Sequence, residues 1–105
     1  MPSQSNPLLE IHEQNRAARA AYALLRGQFR GDLLRPDDRG YEEARTIWNG
    51  MVAQKPGLIA RCAEVRDIQT AIRVANGTRI HTAVRCGGHS LAGFSTCDSG
   101  LVIDL

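Results

Sequence analysis

The stretch LIARCAEVRDIQTAIRVANGTRIHTAVR, Leu58 to Arg85, changes its hydrophobic period twice. Leu58 to Cys62 is an apolar run short enough for a buried strand. Val65, Ile68, Ala71, Ile72 and Ala75 then recur at helical spacing. Asp67 stands in the first turn, where a negative charge suits the helix dipole, and Asn76-Gly77 reads as a stop signal. Ile80 to Arg85 is β-branched enough for a second strand, and GLVIDL, Gly100 to Leu105, supplies a third. Strand, helix and strand predict a βαβ unit with parallel strands, a right-handed crossover and cover on both faces. With the third strand the pattern is β-α-β-β. A sheet of three parallel strands leaves the third, Leu101 to Leu105, at an apolar edge that invites pairing with other chains.

Upstream of that unit the pattern is helical. Met1 to Pro7 is polar and suits a frayed terminus. Leu8, Ile11, Ala18, Tyr22 and Leu25 share one helix face, and Arg16, Arg19 and Arg26 fall on the solvated one. Gly27 and Gly31 interrupt, and RPDDRG, Arg35 to Gly40, is a turn cluster, so this region reads as a loop. A second helix is predicted from Tyr41 to about Met51, with Tyr41, Ala44, Ile47, Trp48 and Met51 on one face. Trp48, Tyr22 and Phe29 are expected in the core. The reading is therefore α/β (α+β), with an N-terminal helical lead-in over 1–55 and a second part over 56–105.

Composition narrows the function classes. The chain has 105 residues, enough for a single core. Its net charge is +2, and its twelve arginines and one lysine, Lys55, are scattered among acids, which argues against a nucleic-acid partner. No apolar run approaches the roughly 20 residues that cross a bilayer. Cys62, Cys86 and Cys97 are an odd number, and the start lacks the apolar core of a signal peptide, so a reducing cytoplasmic setting is expected.

The chemistry is concentrated in RCGGHSLAG, Arg85 to Gly93. Gly87 and Gly88 take positive φ without steric cost and leave backbone N–H groups bare, as in a nest for a phosphate or pyrophosphate. A plain tight turn between strands uses the same residues. The glycines follow the second strand and precede no helical pattern, so neither a Rossmann fingerprint nor a P-loop is present. Cys86, His89 and Cys97 have the ligand types of a zinc site, but three ligands in one loop without a second paired motif do not make one. No metal is expected. His12 and His81 read as structural or solvated.

These residues carry a resemblance. RCGGHSLAGFSTCDSGLVIDL, with PGLIARCAEVRDIQTAIRVANGTRIHTAVR before it, resembles the start of the PCMH-type flavin domain shared by vanillyl-alcohol oxidase, p-cresol methylhydroxylase and berberine bridge enzyme-like oxidoreductases. YEEARTIWNGM, Tyr41 to Met51, is similar to the lead-in helix of bacterial members. The resemblance implies that FAD is the cofactor and that its diphosphate is cradled by the backbone of Cys86, Gly87, Gly88, His89 and Ser90, with Gly93 beyond. In the berberine bridge enzyme-like branch the histidine of this pattern is bonded to the flavin 8α-methyl, which carries over to His89. An imidazole suits that role because its neutral nitrogen is nucleophilic near pH 7. The implied reaction takes a hydride from a small substrate at a carbon bearing a hydroxyl or amine, with dioxygen or another acceptor as reoxidant.

Two positions depart from the family pattern. Cys86 replaces the usual serine or glycine, although only its amide is asked to contribute. Glu64 stands at the helix N-cap in place of Ser or Thr, leaving Asp67 as half of a capping box, a loss of about 1 kcal/mol. The catalytic base and substrate pocket are not identified in these residues. The sequence stops inside an apolar strand, so the chain is expected to be the truncated N-terminal part of the enzyme. The other class it fits is a non-catalytic nucleotide-binding or partner-docking module.

Overall fold

A computed structural model of the chain describes residues 7–46, 55–86, 89–92 and 100–105. In chain order these form α1 (Pro7–Leu25), β1 (Asp32–Leu34), α2 (Tyr41–Thr46), β2 (Leu58–Arg61), α3 (Val65–Thr78), β3 (Thr82–Cys86), β4 (His89–Ala92) and β5 (Leu101–Asp104). The strands make one mixed sheet in the order β1-β2-β5-β3-β4. β5 runs parallel to both β2 and β3, whereas β1 and β4 are antiparallel to their neighbours.

Alternation along the central strands divides the interior in two. Leu58 and Ala60 of β2 and Leu101 and Ile103 of β5 face α1 and α3, where they join Ala18, Ala21, Leu25, Ala71 and Val74. Alanines at this seam let the two helices approach closely. Tyr22 and Phe29 pack at its margin, as the sequence predicts. Ile59, Val102 and Ala83 face the other way, against Tyr41 and Ala44 of α2. The Tyr41 hydroxyl donates to the Pro56 carbonyl and ties α2 to the approach to β2. Arg16, Arg19 and Arg26 are exposed, as expected for a solvated face. Among the described residues no helix is long and apolar enough to cross a membrane.

Four expectations are corrected. The third predicted strand is not an edge. β5 is central, its backbone paired on both sides, and its side chains at Leu101, Val102 and Ile103 are buried. The edges are the short antiparallel strands β1 and β4. The first of these lies in the region read as a loop, and the second in the loop after the glycines. The helix stop is not Asn76-Gly77: α3 runs on to Thr78, and Arg79 closes it in the left-handed conformation, with φ of 59° and its N–H donated to the Ala75 carbonyl. Finally, Asp67 is more than half a capping box, as described below. Glu64 is at the N-cap with no side-chain cap, as expected. The expected extension of α2 to Met51, including Trp48, lies outside the described residues.

Candidate functional site

The three parallel strands end at one level. In the register, Arg61 of β2 and Arg85 of β3 both oppose Asp104 of β5. Asp104 Oδ2 lies 2.9 Å from Arg85 Nη2 and 3.7 Å from Arg61 Nε, so one carboxylate is shared by two guanidiniums. Arg85 is only 2% exposed, whereas the Arg61 side chain is nearly half exposed. A buried guanidinium is tolerated only with a well-placed counter-charge, and the sheet register delivers one. Beyond the strands, Cys62 N–H donates to the Asp104 carbonyl and Leu105 N–H to that of Arg85, which continues the ladder to the end of the row. The row has two positive groups and one negative one, a net single positive charge, at the carboxyl ends of parallel strands. That end of an open α/β sheet is where ligands bind.

Arg85 leads directly into the segment singled out in the sequence. β3 and β4 form a hairpin in which Cys86 opposes His89 and Arg85 opposes Ser90. The register shifts between Val84 and Arg85, because β4 steps from Ala92 to Ser90 while β3 advances one residue. Such irregularities re-aim residues beside functional sites. Of the sequence-predicted site residues, Cys86, His89 and Ser90 are thus brought together at the closed end of a hairpin. Gly87, Gly88 and Gly93 lie outside the described residues. Arg61 and Asp104 were not singled out in the sequence. The available signal was a charged residue closing each of two strands that are otherwise apolar.

The crossover beneath this row is held by Asp67, which is fully buried. Its Oδ1 accepts from the Arg30 N–H at 2.9 Å, and its Oδ2 accepts from Gly31 at 2.8 Å and Ala63 at 2.9 Å. One carboxylate therefore joins the connection between α1 and β1 to that between β2 and α3. Burial works to raise its pKa, but the backbone N–H groups of Arg30, Ala63, Gly31 and Glu64 outweigh burial and hold the carboxyl below the usual carboxylate range. Gly31 fits only because it has no side chain: a Cβ there would sit 1.8 Å from the Arg61 carbonyl oxygen.

Cys62, between these two acids, has its thiol pushed up to about 11, first by burial and then by the charges of Asp67 and Asp104. A thiol so disposed is inert at neutral pH. Among the described residues no cluster of His, Cys, Asp and Glu could hold a metal ion.

Residues 56–105 match the FAD binding domain family. Over 75 residues the chain is 40% identical to (R)-6-hydroxynicotine oxidase of Paenarthrobacter nicotinovorans, an alignment covering 71% of this chain and 16% of that enzyme. It is 37% identical over 75 residues to an uncharacterised FAD-linked oxidoreductase of Bacillus subtilis, covering 71% of this chain and 17% of the relative. Among solved structures, 6-hydroxy-D-nicotine oxidase of Arthrobacter nicotinovorans superposes with a TM-score of 0.63 at 38% identity, over 74% of this chain and 17% of that one. BBE-like 1 of Physcomitrella patens superposes with a TM-score of 0.66 at 21% identity, over 82% of this chain and 19% of that one, which speaks to the fold alone. The chain thus spans about one sixth of the length of the curated relatives it matches. The mixed sheet and these matches converge: residues 56–105 are the N-terminal region of a PCMH-type FAD-binding domain, similar to that of the FAD-linked oxidoreductases.

Proposed function

We propose that this chain is the N-terminal part of an FAD-dependent oxidoreductase that holds the FAD diphosphate on the Arg85–Gly93 segment and attaches the flavin covalently at His89. Residues 1–55 act as the helical lead-in and residues 56–105 as the first part of the flavin domain. The observation that carries this reading is the Arg61–Asp104–Arg85 row beside the Cys86–His89 hairpin end. A net positive row at the carboxyl ends of parallel strands, next to two glycines, has the donor chemistry that a diphosphate requires. The backbone of Cys86, Gly87, Gly88, His89 and Ser90 would bind it, with Gly93 allowing close approach.

Attachment at His89 would join an imidazole nitrogen to the 8α carbon. Each would give up a proton, His89 providing the nucleophilic nitrogen and the bound flavin the two-electron acceptor that the new bond requires. When bound, FAD supplies the hydride acceptor, and the protein orients it and excludes competing reactions. Substrates are small molecules oxidised at a carbon bearing a hydroxyl or amine, with dioxygen or another acceptor taking up the electrons. The setting is cytoplasmic, with no nucleic acid or membrane as partner.

The test is acid precipitation of the intact oxidoreductase carrying this segment. Yellow colour is expected to stay with the pellet in the parent protein and to be released from His89→Ala. Flavin that stays with the pellet in His89→Ala assigns the attachment elsewhere. A colourless parent protein favours a binding module without redox chemistry.

A further inference from the structure

We propose that Asp104 is a positioning residue for the flavin diphosphate: by sharing its carboxylate between Arg85 and Arg61 it clamps the buried Arg85 guanidinium at the base of the β3–β4 hairpin. The inference rests on the reading that this hairpin binds FAD, and it extends that reading to a residue of another strand. Three observations support it. Asp104 is the register partner of both arginines, so the sheet pairing itself sets the three charged side chains next to one another. The contact to Arg85 is a short charge-assisted hydrogen bond at 2.9 Å, whereas that to Arg61 is a looser 3.7 Å ion pair. Arg85 is also the residue at which the hairpin register shifts, so its side chain and the course of the hairpin are fixed together.

Positioning and bare charge make opposite forecasts. Replacing Asp104 by asparagine removes a negative charge and leaves two arginines, which by Coulomb attraction alone strengthens the binding of an anion. If the carboxylate acts by fixing Arg85, the same change weakens binding. A purely structural role in joining three strands lowers the melting temperature and leaves the affinity of the folded protein unchanged.

The experiment is FAD titration, by quenching of flavin fluorescence, in the intact oxidoreductase carrying this segment. All variants are made in a His89→Ala background so that binding is reversible, at a temperature where circular dichroism shows each fully folded. Asp104→Asn is expected to raise the Kd roughly tenfold, about 1.4 kcal/mol. Asp104→Ser receives the same titration, so the test does not hang on one variant folding. In an Arg85→Gln background the Asp104 substitutions should have no further effect, because the group they position is gone. An unchanged or lower Kd for Asp104→Asn, or the same tenfold loss in the Arg85→Gln background, overturns the proposal while leaving FAD binding intact. A His89→Ala parent that binds no FAD overturns the flavin reading itself, and this inference with it.

Discussion

Asp67 shows how one residue can hold a fold through hydrogen bonds to backbone N–H groups. Its partners are backbone N–H groups from two separate connections, so no change in a partner's side chain tunes it, whereas a change at Asp67 affects both. Asp67→Asn keeps the shape but turns an amide N–H₂ toward groups that are themselves donors. We expect a stability loss of about 2 kcal/mol by chemical denaturation. The pH dependence has a definite sign. Because the folded-state pKa lies below the ordinary value of 3.8, the ionised form stabilises the protein fully above that value, and the benefit is lost as pH falls through the folded pKa. The gap between parent and Asp67→Asn should therefore be constant near neutrality and close below pH 3.8; a gap independent of pH in acid would show that the charge is not what matters. Cys62 gives the opposite case. With its thiol at about 11 against an ordinary 9.0, its thiolate population at neutral pH is about 100-fold below that of an ordinary thiol. In a Cys86→Ser, Cys97→Ser background, alkylation of Cys62 by iodoacetamide at pH 8 should be slower than that of free cysteine by a comparable factor.

At the scale of elements, local period and long-range pairing contribute separately. α1, α3, β2, β3 and β5 were legible because each carries enough residues to show a period of 3.6 or an apolar run, and their bounds agree with the sequence reading to within about two residues. β1, with three residues, and β4, with four, are too short for any period to register, and their pairing is decided by β2 and β3, which stand far off in sequence or on the other side of Gly87 and Gly88. The central place of β5 was equally hidden, since an apolar strand looks the same whether one or both of its edges are paired. Of the site, the Arg85–Gly93 segment stood out in the sequence by residue type and spacing, but its pairing as β3 and β4 did not, and the Arg61–Asp104–Arg85 row exists only once three strands are in register. The end of α3 provides a test of how local signals and packing divide the work. Arg79 adopts the left-handed conformation that glycine takes without cost, so Arg79→Gly should stabilise by up to about 1 kcal/mol. Gly77 has open space around its missing Cβ and sits within the helix, so Gly77→Ala should add about 0.5–1 kcal/mol. Gly31→Ala should instead cost about 2 kcal/mol or more, because its Cβ meets backbone that cannot move aside without disturbing β2. Thermal midpoints of the three variants, ordered otherwise, would contradict this account.

For the whole molecule, the question is whether the part that matches the flavin-domain family is a unit of folding. The match begins at residue 56, yet the core does not. Ala18, Ala21 and Leu25 of α1 pack in one cluster with Leu58 and Ala60 of β2, Ala71 and Val74 of α3, and Leu101 and Ile103 of β5. Tyr41 and Ala44 cover the opposite sheet face at Ile59, Ala83 and Val102. β1 pairs the outer edge of β2, and Arg30 and Gly31 supply two of the N–H donors to the buried Asp67. Removing residues 1–55 would strip α2 from one face of the sheet and α1 from beside α3 on the other, open the four-residue edge of β2 and leave a buried carboxylate short of donors, in a chain near the size at which any single core is marginal. We therefore expect a polypeptide of residues 56–105 to show no cooperative thermal transition and collapsed amide dispersion, while residues 1–105 show helical circular dichroism and protection of the α3 and β5 amides against hydrogen exchange. A sharp two-state melt with dispersed amide resonances in the shorter polypeptide would show that the flavin segment folds without its lead-in, and that α1 and the Asp67 contacts to Arg30 and Gly31 are additions to a core already formed.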